Sequence, residues 1–297
     1  MQEKESKPFT KKFKKNYTVS IKLPYFLESP LKREKTPMKY IIGNWKMNLS
    51  LKQAEALTLG IIQFLKETPP SSFSCMIAPP FPFLERLHTL ITHEKDLLSL
   101  AAQDISAHEK GAFTGEVSAS HLKEVGVKAA LIGHSERRLY HKETEPLLRQ
   151  KILQCLSHDL IPVLCLGESL EIRRASKTVP FVLNQLHEMC QALQEMLISK
   201  PSSSPPLMIA YEPLWAIGTG CIPSLDEIED VHNALSIALK TLFPKHIIPL
   251  LYGGSVTPLN SSEILSLPHV DGALVGGASL SLETFLPLLS SASLVNR

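Results

Sequence analysis

Short and almost entirely apolar runs recur along the chain and alternate with segments of helical periodicity. The runs lack the strict alternation of apolar and polar residues that a strand with one wet face shows. We therefore expect strands that are covered on both faces, as in a parallel sheet. The predicted strands are Tyr40–Gly43, Cys75–Ala78, Leu98–Ala102, Ala129–Gly133, Ile161–Leu166, Leu207–Tyr211, Pro249–Tyr252 and Gly272–Val275.

Capping residues mark where several of the intervening helices begin. Ser50 precedes apolar residues that recur at helical spacing, and the prolines at 69–70 are expected to stop that helix. Ser224 and Glu227 have the spacing of a capping box, in which each side chain accepts a hydrogen bond from the other residue's backbone N–H. The Thr-Pro pair at 257–258 predicts a further helix start, with proline in the first helical position.

Eight strand–helix units in about 250 residues favour closure of the sheet into a barrel, with right-handed crossovers that place the helices outside. We therefore predict an α/β protein, a (β/α)8 barrel that occupies residues 38–297 as a single domain. The structural alternative is an open, doubly wound sheet, but no G-x-G-x-x-G motif follows the first strand. In a barrel, the chemistry is expected at the C-terminal ends of the strands.

Composition narrows the class of protein. The chain has 297 residues, of which 44% are hydrophobic and 20% charged, as is usual for a soluble globular protein. No stretch approaches the roughly 20 apolar residues that span a bilayer, and the N-terminus lacks a secretory signal pattern. The five cysteines form no C-x-x-C pair, which favours reduced thiols in the cytoplasm.

Charge divides the chain into two parts. Residues 1–38 carry a net charge of +6, and residues 39–297 carry a net charge of −4. A basic tail could touch nucleic acid or a membrane surface. Residues 1–37 also contain four acidic residues and are better interpreted as a solvated, mostly disordered extension. Neither a nucleic-acid partner nor a membrane partner is expected.

The residues at the ends of the predicted strands are unusually polar. Glycine pairs follow strands seven and eight, and Gly-Thr-Gly lies after strand six, where backbone N–H groups could surround a phosphate. Tight turns are the alternative explanation for any one pair. The polar residues are Asn44 and Lys46 at strand one, Gln103 and Asp104 at strand three, His134, Ser135, Glu136 and Arg137 at strand four, Cys165 and Glu168 at strand five, and Glu212 at strand six.

Three of these residues form a candidate chemical set. Lys46, if it is more than a solvated side chain, can neutralise a phosphorylated substrate. His134 is either structural or a neutral ring, favoured by the positive end of a helix, that donates to a carbonyl oxygen. Glu212 is either a buried ion-pair partner or a general base, and residues 213–220 have the composition of a lid. Such a set suits proton abstraction next to a carbonyl group.

Seven separate stretches, in order along the chain, resemble the triosephosphate isomerase family. The resemblance covers roughly residues 38–290. The stretches are GNWKMN at 43–48, GAFTGE at 111–116, IGHSERR at 132–138, CLGE at 165–168, AYEPLWAIGTG at 210–220, YGGSV at 252–256 and VGGAS at 275–279.

The resemblance implies a TIM barrel and an isomerase of glycolysis and gluconeogenesis. Such an enzyme interconverts D-glyceraldehyde 3-phosphate and dihydroxyacetone phosphate through an enediol(ate), with no cofactor and no metal. The implied catalytic residues are Glu212 as the base, His134 as the neutral electrophile, Lys46 and Asn44. The implied substrate-binding residues are Asn44, Lys46, Gly218, Ser255, Gly276 and Gly277, and the implied supporting residues are Glu136, Ser135 and Cys165.

The resemblance also implies a homodimer in the cytoplasm. The loop Gly111–Glu116 would insert into the partner's site region, so that Thr114 approaches the neighbourhood of the partner's lysine and asparagine. The implied dimer contacts are Gln103, Thr114 and Glu116.

The sequence departs from the family pattern at three places. Asp104 stands where the family commonly has asparagine, which would place an extra charge near the dimer contact. Cys221 replaces a lysine that is usual at the end of the lid, and residues 1–37 are either an extension or a misassigned start. Two alternatives stay open: another phosphate-binding barrel enzyme, such as a sugar-phosphate epimerase or lyase, and a barrel that binds without catalysing.

Overall fold

Eight parallel strands close into a barrel in a computed structural model that describes residues 38–68, 73–94, 96–190, 206–216 and 222–295. Each strand pairs with its neighbours in sequence, and the last pairs with the first. The predicted (β/α)8 TIM barrel is confirmed, and the predicted extension at residues 1–37 lies outside the described residues. The strands are β1 Lys39–Asn44, β2 Phe73–Ala78, β3 Leu98–Ala102, β4 Val127–Ile132, β5 Ile161–Leu166, β6 Met208–Tyr211, β7 Leu250–Tyr252 and β8 Gly272–Val275.

Burial on both faces explains why the strands read as continuous apolar runs. In β1, Ile41 packs in the layer between the strands and the helices, whereas Ile42 packs with residues of the other strands inside the barrel. Successive side chains of a strand point to opposite faces, so both kinds of position need apolar residues here. The predicted strand bounds agree with the observed ones to within two residues at either end.

Helices follow the strands and surround the barrel. No helix in the described ranges is long and apolar enough to cross a membrane. Short 3-10 turns lie at Phe81–Phe83 and Gly277–Ser279. The helices are α1 Leu51–Glu67, α2 Leu84–Ile91, α3 Ala119–Glu124, α4 Ser135–Tyr140, α5 Glu145–Ser157, α6 Leu170–Arg174, α7 Thr178–Cys190, α8 Leu225–Leu242, α9 Ser261–Ser266 and α10 Leu282–Leu294.

Two of the three predicted helix starts are confirmed. Ser50 and Ser224 both cap their helices, and each closes a capping box with the residue three positions later. The third prediction is wrong, because α9 begins at Ser261 and not at residue 258. The Asn260 side chain accepts from the backbone N–H of Thr257 at 2.8 Å and donates to the Ser255 carbonyl at 3.1 Å. These bonds hold residues 255–260 in a turn, so the helix starts later.

Candidate active site

A cavity of about 280 Å³ opens at the C-terminal ends of the strands. Its wall brings together residues that are far apart in sequence and that follow β1, β4, β6, β7 and β8. In a (β/α)8 barrel this end carries the chemistry, because the loops after all eight strands meet there. The lining includes Asn44, Lys46, His134, Glu212, Gly253, Gly254, Ser255, Gly276 and Gly277.

His134 lies directly before α4 and caps it. Its Nδ1 accepts a hydrogen bond from the backbone N–H of Glu136 at 3.2 Å. Because a backbone N–H can only donate, Nδ1 carries a lone pair, and the proton of the neutral ring is on Nε2. His134 Nε2 lies 3.3 Å from Oε1 of Glu212. The cap therefore orients the ring so that its N–H is directed into the cavity.

Glu212 follows β6 and is almost completely buried. Its backbone N–H donates to the Leu166 carbonyl at 2.7 Å, which continues the pairing between β5 and β6. Its Oε2 accepts from the Ser135 backbone N–H at 3.0 Å. Its Oε1 has no hydrogen-bond partner among the described residues. One oxygen is therefore anchored and the other is available to take up a proton.

Cys165 of β5 adjoins this carboxylate. Burial and the neighbouring Glu212 raise the pKa of the Cys165 thiol well above its ordinary value. The thiol therefore stays protonated and adds no second charge beside Glu212. A neutral Cys165 thiol fits the expected supporting role of this residue beside Glu212.

Lys46 is held in an uncommon backbone conformation, with a φ of 51°. Its backbone N–H donates to Oδ1 of Asn44 at 3.1 Å, and its carbonyl accepts from Nε2 of Gln103 at 2.7 Å. Left-handed conformations cost free energy in residues other than glycine, so these two bonds hold the residue where packing alone would not. The ammonium group pairs with Glu136 Oε1 at 2.7 Å.

The glycines of the cavity wall have two different uses. A Cβ on Gly253 would lie 2.8 Å from Cγ of Glu212, and one on Gly254 would lie 2.2 Å from the Tyr252 hydroxyl. A larger residue at either position would therefore collide with these neighbouring side chains, which explains the glycines at 253 and 254. A Cβ on Gly277 would meet nothing within 4 Å, so the backbone there faces open space. Gly276 lies beside the Lys46 side chain and precedes the 3-10 turn.

The chain is similar to known proteins over most of its length. The sequence model of the triosephosphate isomerase family matches residues 39–292. The triosephosphate isomerase of Thermus thermophilus is 40% identical over 255 residues, which is 85% of this chain and 98% of the relative. That of Nocardia farcinica is 41% identical over 256 residues, 85% of this chain and 96% of the relative. The crystal structure of triosephosphate isomerase from Bartonella henselae is similar with a TM-score of 0.71 and 32% identity, over 85% of this chain and 98% of that one.

The chain belongs to the triosephosphate isomerase family. It is therefore an isomerase that interconverts glyceraldehyde 3-phosphate and dihydroxyacetone phosphate. Membership of this family decides against the two alternatives that the sequence left open, an epimerase or lyase on the same fold and a barrel without catalytic activity.

The barrel brings together most of the residues that the triosephosphate isomerase resemblance implies. Asn44, Lys46, His134, Glu212, Ser255, Gly276 and Gly277 line the cavity. Ser135, Glu136 and Cys165 contact or adjoin these residues. Gln103 is bonded to Lys46 within the same chain, and Thr114 and Glu116 lie on an exposed loop. Gly218 and Cys221 lie outside the described residues.

The first part of the segment expected to form the triosephosphate isomerase lid is anchored from two sides. The indole N–H of Trp215 donates to Glu168 at 2.7 Å, and the Arg173 guanidinium lies 3.9 Å from the centre of the Trp215 ring. Ala216 accepts from the hydroxyl of Ser255 at 3.0 Å. Sequence reasoning placed Glu168 at a strand end but missed its role as the acceptor for Trp215. The remainder of the segment, residues 217–220, is not described.

Proposed function

We propose that this chain isomerises triose phosphates with Glu212 as the base and His134 as the donor to the substrate's carbonyl oxygen. The observation that carries the proposal is the approach of Glu212 Oε1 to His134 Nε2, 3.3 Å apart on the cavity wall. A base and a donor this close together can act on neighbouring carbon and oxygen atoms of one small sugar.

In the proposed reaction, Glu212 removes a proton from the carbon next to the carbonyl group. The C–H bond breaks, its electron pair forms the double bond of an enediol(ate), and the carbonyl oxygen takes up the negative charge. The His134 N–H and the Lys46 ammonium stabilise that charge. A proton then moves between the two oxygens through His134, and Glu212 returns its proton to the neighbouring carbon. Aldose and ketose interconvert without a redox partner or a cofactor.

The phosphate group is proposed to bind at the opposite part of the cavity wall. Gly277 faces open space, and Gly276 lies next to the Lys46 side chain, so the phosphate could meet backbone N–H groups and the ammonium group together. Backbone N–H groups that lack a neighbouring Cβ can approach an anion closely. Ser255 and Gly218 complete the proposed phosphate contacts, and Asn44 supports Lys46.

A coupled assay on the purified full chain tests the activity, run in D2O with each triose phosphate in turn. We expect turnover in both directions and incorporation of solvent deuterium at the carbon that receives the proton. Lack of turnover on both triose phosphates would contradict the assignment. Turnover without deuterium incorporation would leave the activity intact but argue against a carboxylate that exchanges with solvent.

A homodimer is also proposed. Large apolar side chains are exposed on segments near the site end of the barrel. The tip of the loop at 111–116 is exposed as well. Surfaces of this kind are typical of protein–protein contacts. The exposed fractions are 94% for Met47, 73% for Tyr140, 57% for Leu139 and 41% for Phe113.

Sedimentation equilibrium measures the assembly directly. We expect a mass of twice 32.9 kDa at micromolar concentration. Gln103, Thr114 and Glu116 are the proposed contacts, so Thr114→Arg is expected to shift the protein toward monomers. A monomer with full activity would contradict the proposed dimer and leave the chemistry of Glu212 untouched.

The cytoplasm is the proposed location, with glycolysis and gluconeogenesis as the setting of the reaction. The four cysteines within the described residues are buried and unpaired, which fits a reducing compartment. Fractionation of cells that express the full chain, followed by the isomerase assay on each fraction, tests the location. Activity confined to a membrane or secreted fraction would contradict it.

A further inference from the structure

Outside the cavity, four charged side chains form one network at the end of β3. Arg137 donates to Asp104 Oδ2 and to Glu143 Oε1, both at 2.7 Å. Lys151 donates to Asp104 Oδ1 and to the same oxygen of Glu143, both at 2.6 Å. Two carboxylates and two cations leave the network without net charge. The extra charge of Asp104, which the sequence places near the expected dimer contact, is therefore balanced by cations of the same chain.

The network connects the two segments that carry the site. Asp104 is the neighbour of Gln103, whose side chain donates to the Lys46 carbonyl at 2.7 Å and to the Ala78 carbonyl at 2.8 Å. Arg137 belongs to α4, the helix that His134 caps and whose Glu136 pairs with Lys46. Consecutive residues at the end of β3 thus hold the loop after β1 on one side and α4 on the other.

Stability alone does not account for the buried charge of Asp104. Burial raises the pKa of the Asp104 carboxyl group, although Lys151 and Arg137 act to lower it. Burial also acts to raise the pKa of Glu143, but its bonds to Lys151 and Arg137 outweigh that effect, and its pKa is lowered. A buried ion pair of this kind is weak evidence for stability, and conformational specificity is the alternative role.

We propose that Asp104 is a positioning residue for the isomerisation, because its bond to Arg137 fixes α4 and with it the His134 ring and the Ser135 N–H. The inference rests on the proposed roles of His134 and Glu212. Since Ser135 N–H donates to Glu212 at 3.0 Å, a shift of α4 moves the base and the electrophile together. Misplacement of catalytic groups by a fraction of an ångström lowers turnover more than substrate binding.

The primary test is Asp104→Leu, which keeps the approximate size of the side chain and removes both oxygens that accept from Arg137 and Lys151. We expect kcat to fall about tenfold in the folded variant, with KM changed less than about twofold. A purely structural role would lower the unfolding temperature and leave kcat at the wild-type value.

Glu145→Gln is the matched control. Glu145 pairs with Arg138 of the same helix at 2.7 Å, but Arg138 also donates to the carbonyls of Gly133 and Cys165. Its removal should therefore leave α4 in place and kcat unchanged. An equal fall of kcat in both variants would overturn the proposal, because any lost pair on α4 would then have the same effect.

Arg137→Lys keeps the positive charge but replaces the planar group that bonds Asp104 and Glu143 at once. We expect the same loss of kcat, so this variant decides the question if Asp104→Leu does not fold. Wild-type kcat in the folded variant overturns the proposal. So does a loss that disappears as enzyme concentration rises, since dissociation of a dimer would then be the cause. Normal turnover by His134→Gln would instead defeat the proposed role of His134.

Discussion

Two buried glutamates follow neighbouring strands of the barrel and have opposite surroundings. Glu168, after β5, accepts from the Trp215 indole at 2.7 Å, the Tyr211 hydroxyl at 3.3 Å and the Thr178 hydroxyl at 3.4 Å. Glu212, after β6, accepts one backbone N–H and directs its other oxygen to the cavity. Each glutamate has one oxygen without a hydrogen-bond partner among the described residues, Oε2 of Glu168 and Oε1 of Glu212. Neither burial nor a free oxygen therefore makes a carboxylate a base, whereas access to the cavity, which Glu212 has, is what the chemistry requires.

The largest expected effect comes from Glu212→Gln, which removes the proposed base and keeps the shape of the side chain. We expect kcat to fall by about a thousandfold, as is usual for the loss of general base catalysis, with KM little changed. Steady-state kinetics in both directions measures the effect. Retention of more than a tenth of the activity would mean that another group removes the proton.

The next effect in size is expected from His134→Gln. The glutamine can still accept at the start of α4, but it cannot place an N–H where the imidazole Nε2 lies. We expect kcat to fall by about a hundredfold, the usual consequence of removing one donor to a developing oxyanion. If KM rises and kcat does not change, His134 binds the substrate and does not stabilise the transition state.

Lys46→Ala is expected to act mainly on binding. Loss of a hydrogen bond to a charged group costs about 1.5–3 kcal/mol, so the affinity for inorganic phosphate and triose phosphates should fall about 10- to 150-fold. Titration calorimetry measures the affinity. Lys52→Ala, which removes an exposed lysine on α1, is the matched control and should bind normally. Equal affinity in the two variants would remove Lys46 from the phosphate site.

The smallest effect is expected from Glu168→Gln, the counterpart of the base. The side-chain carbonyl of the new glutamine would still accept from Trp215, so kcat should stay within about threefold of the wild-type value. Burial raises the pKa of Glu168, so its charge opposes folding at neutral pH, and this cost is lost as pH falls and the group is protonated. The variant should therefore unfold at an equal or higher temperature at neutral pH, with a smaller difference in acid. If kcat of Glu168→Gln fell a thousandfold, Glu168 would be as important for turnover as Glu212, and the proposed difference between the two glutamates would be wrong.

Much of the fold follows from local patterns. The strands Leu98–Ala102, Ile161–Leu166 and Gly272–Val275 have the bounds that their apolar runs predict, and the Ser50 and Ser224 caps depend only on residues three positions away. The helix start at 257–258 was predicted wrongly because the Asn260 side chain closes a turn there. The tautomer of His134 follows from its bond to the Glu136 N–H, which residue identity alone does not specify.

The sequence by itself determined which residues stand at the strand ends, because strand periodicity and helix caps are properties of short segments. Only the tertiary structure decided which of those residues meet. Lys46 pairs with Glu136 across 90 positions, and Asp104 with Lys151 across 47. Closure of the barrel sets these distances, since it brings strand ends side by side regardless of their separation in sequence. The same closure left Glu212 open to the cavity and brought three donors to Oε1 of Glu168.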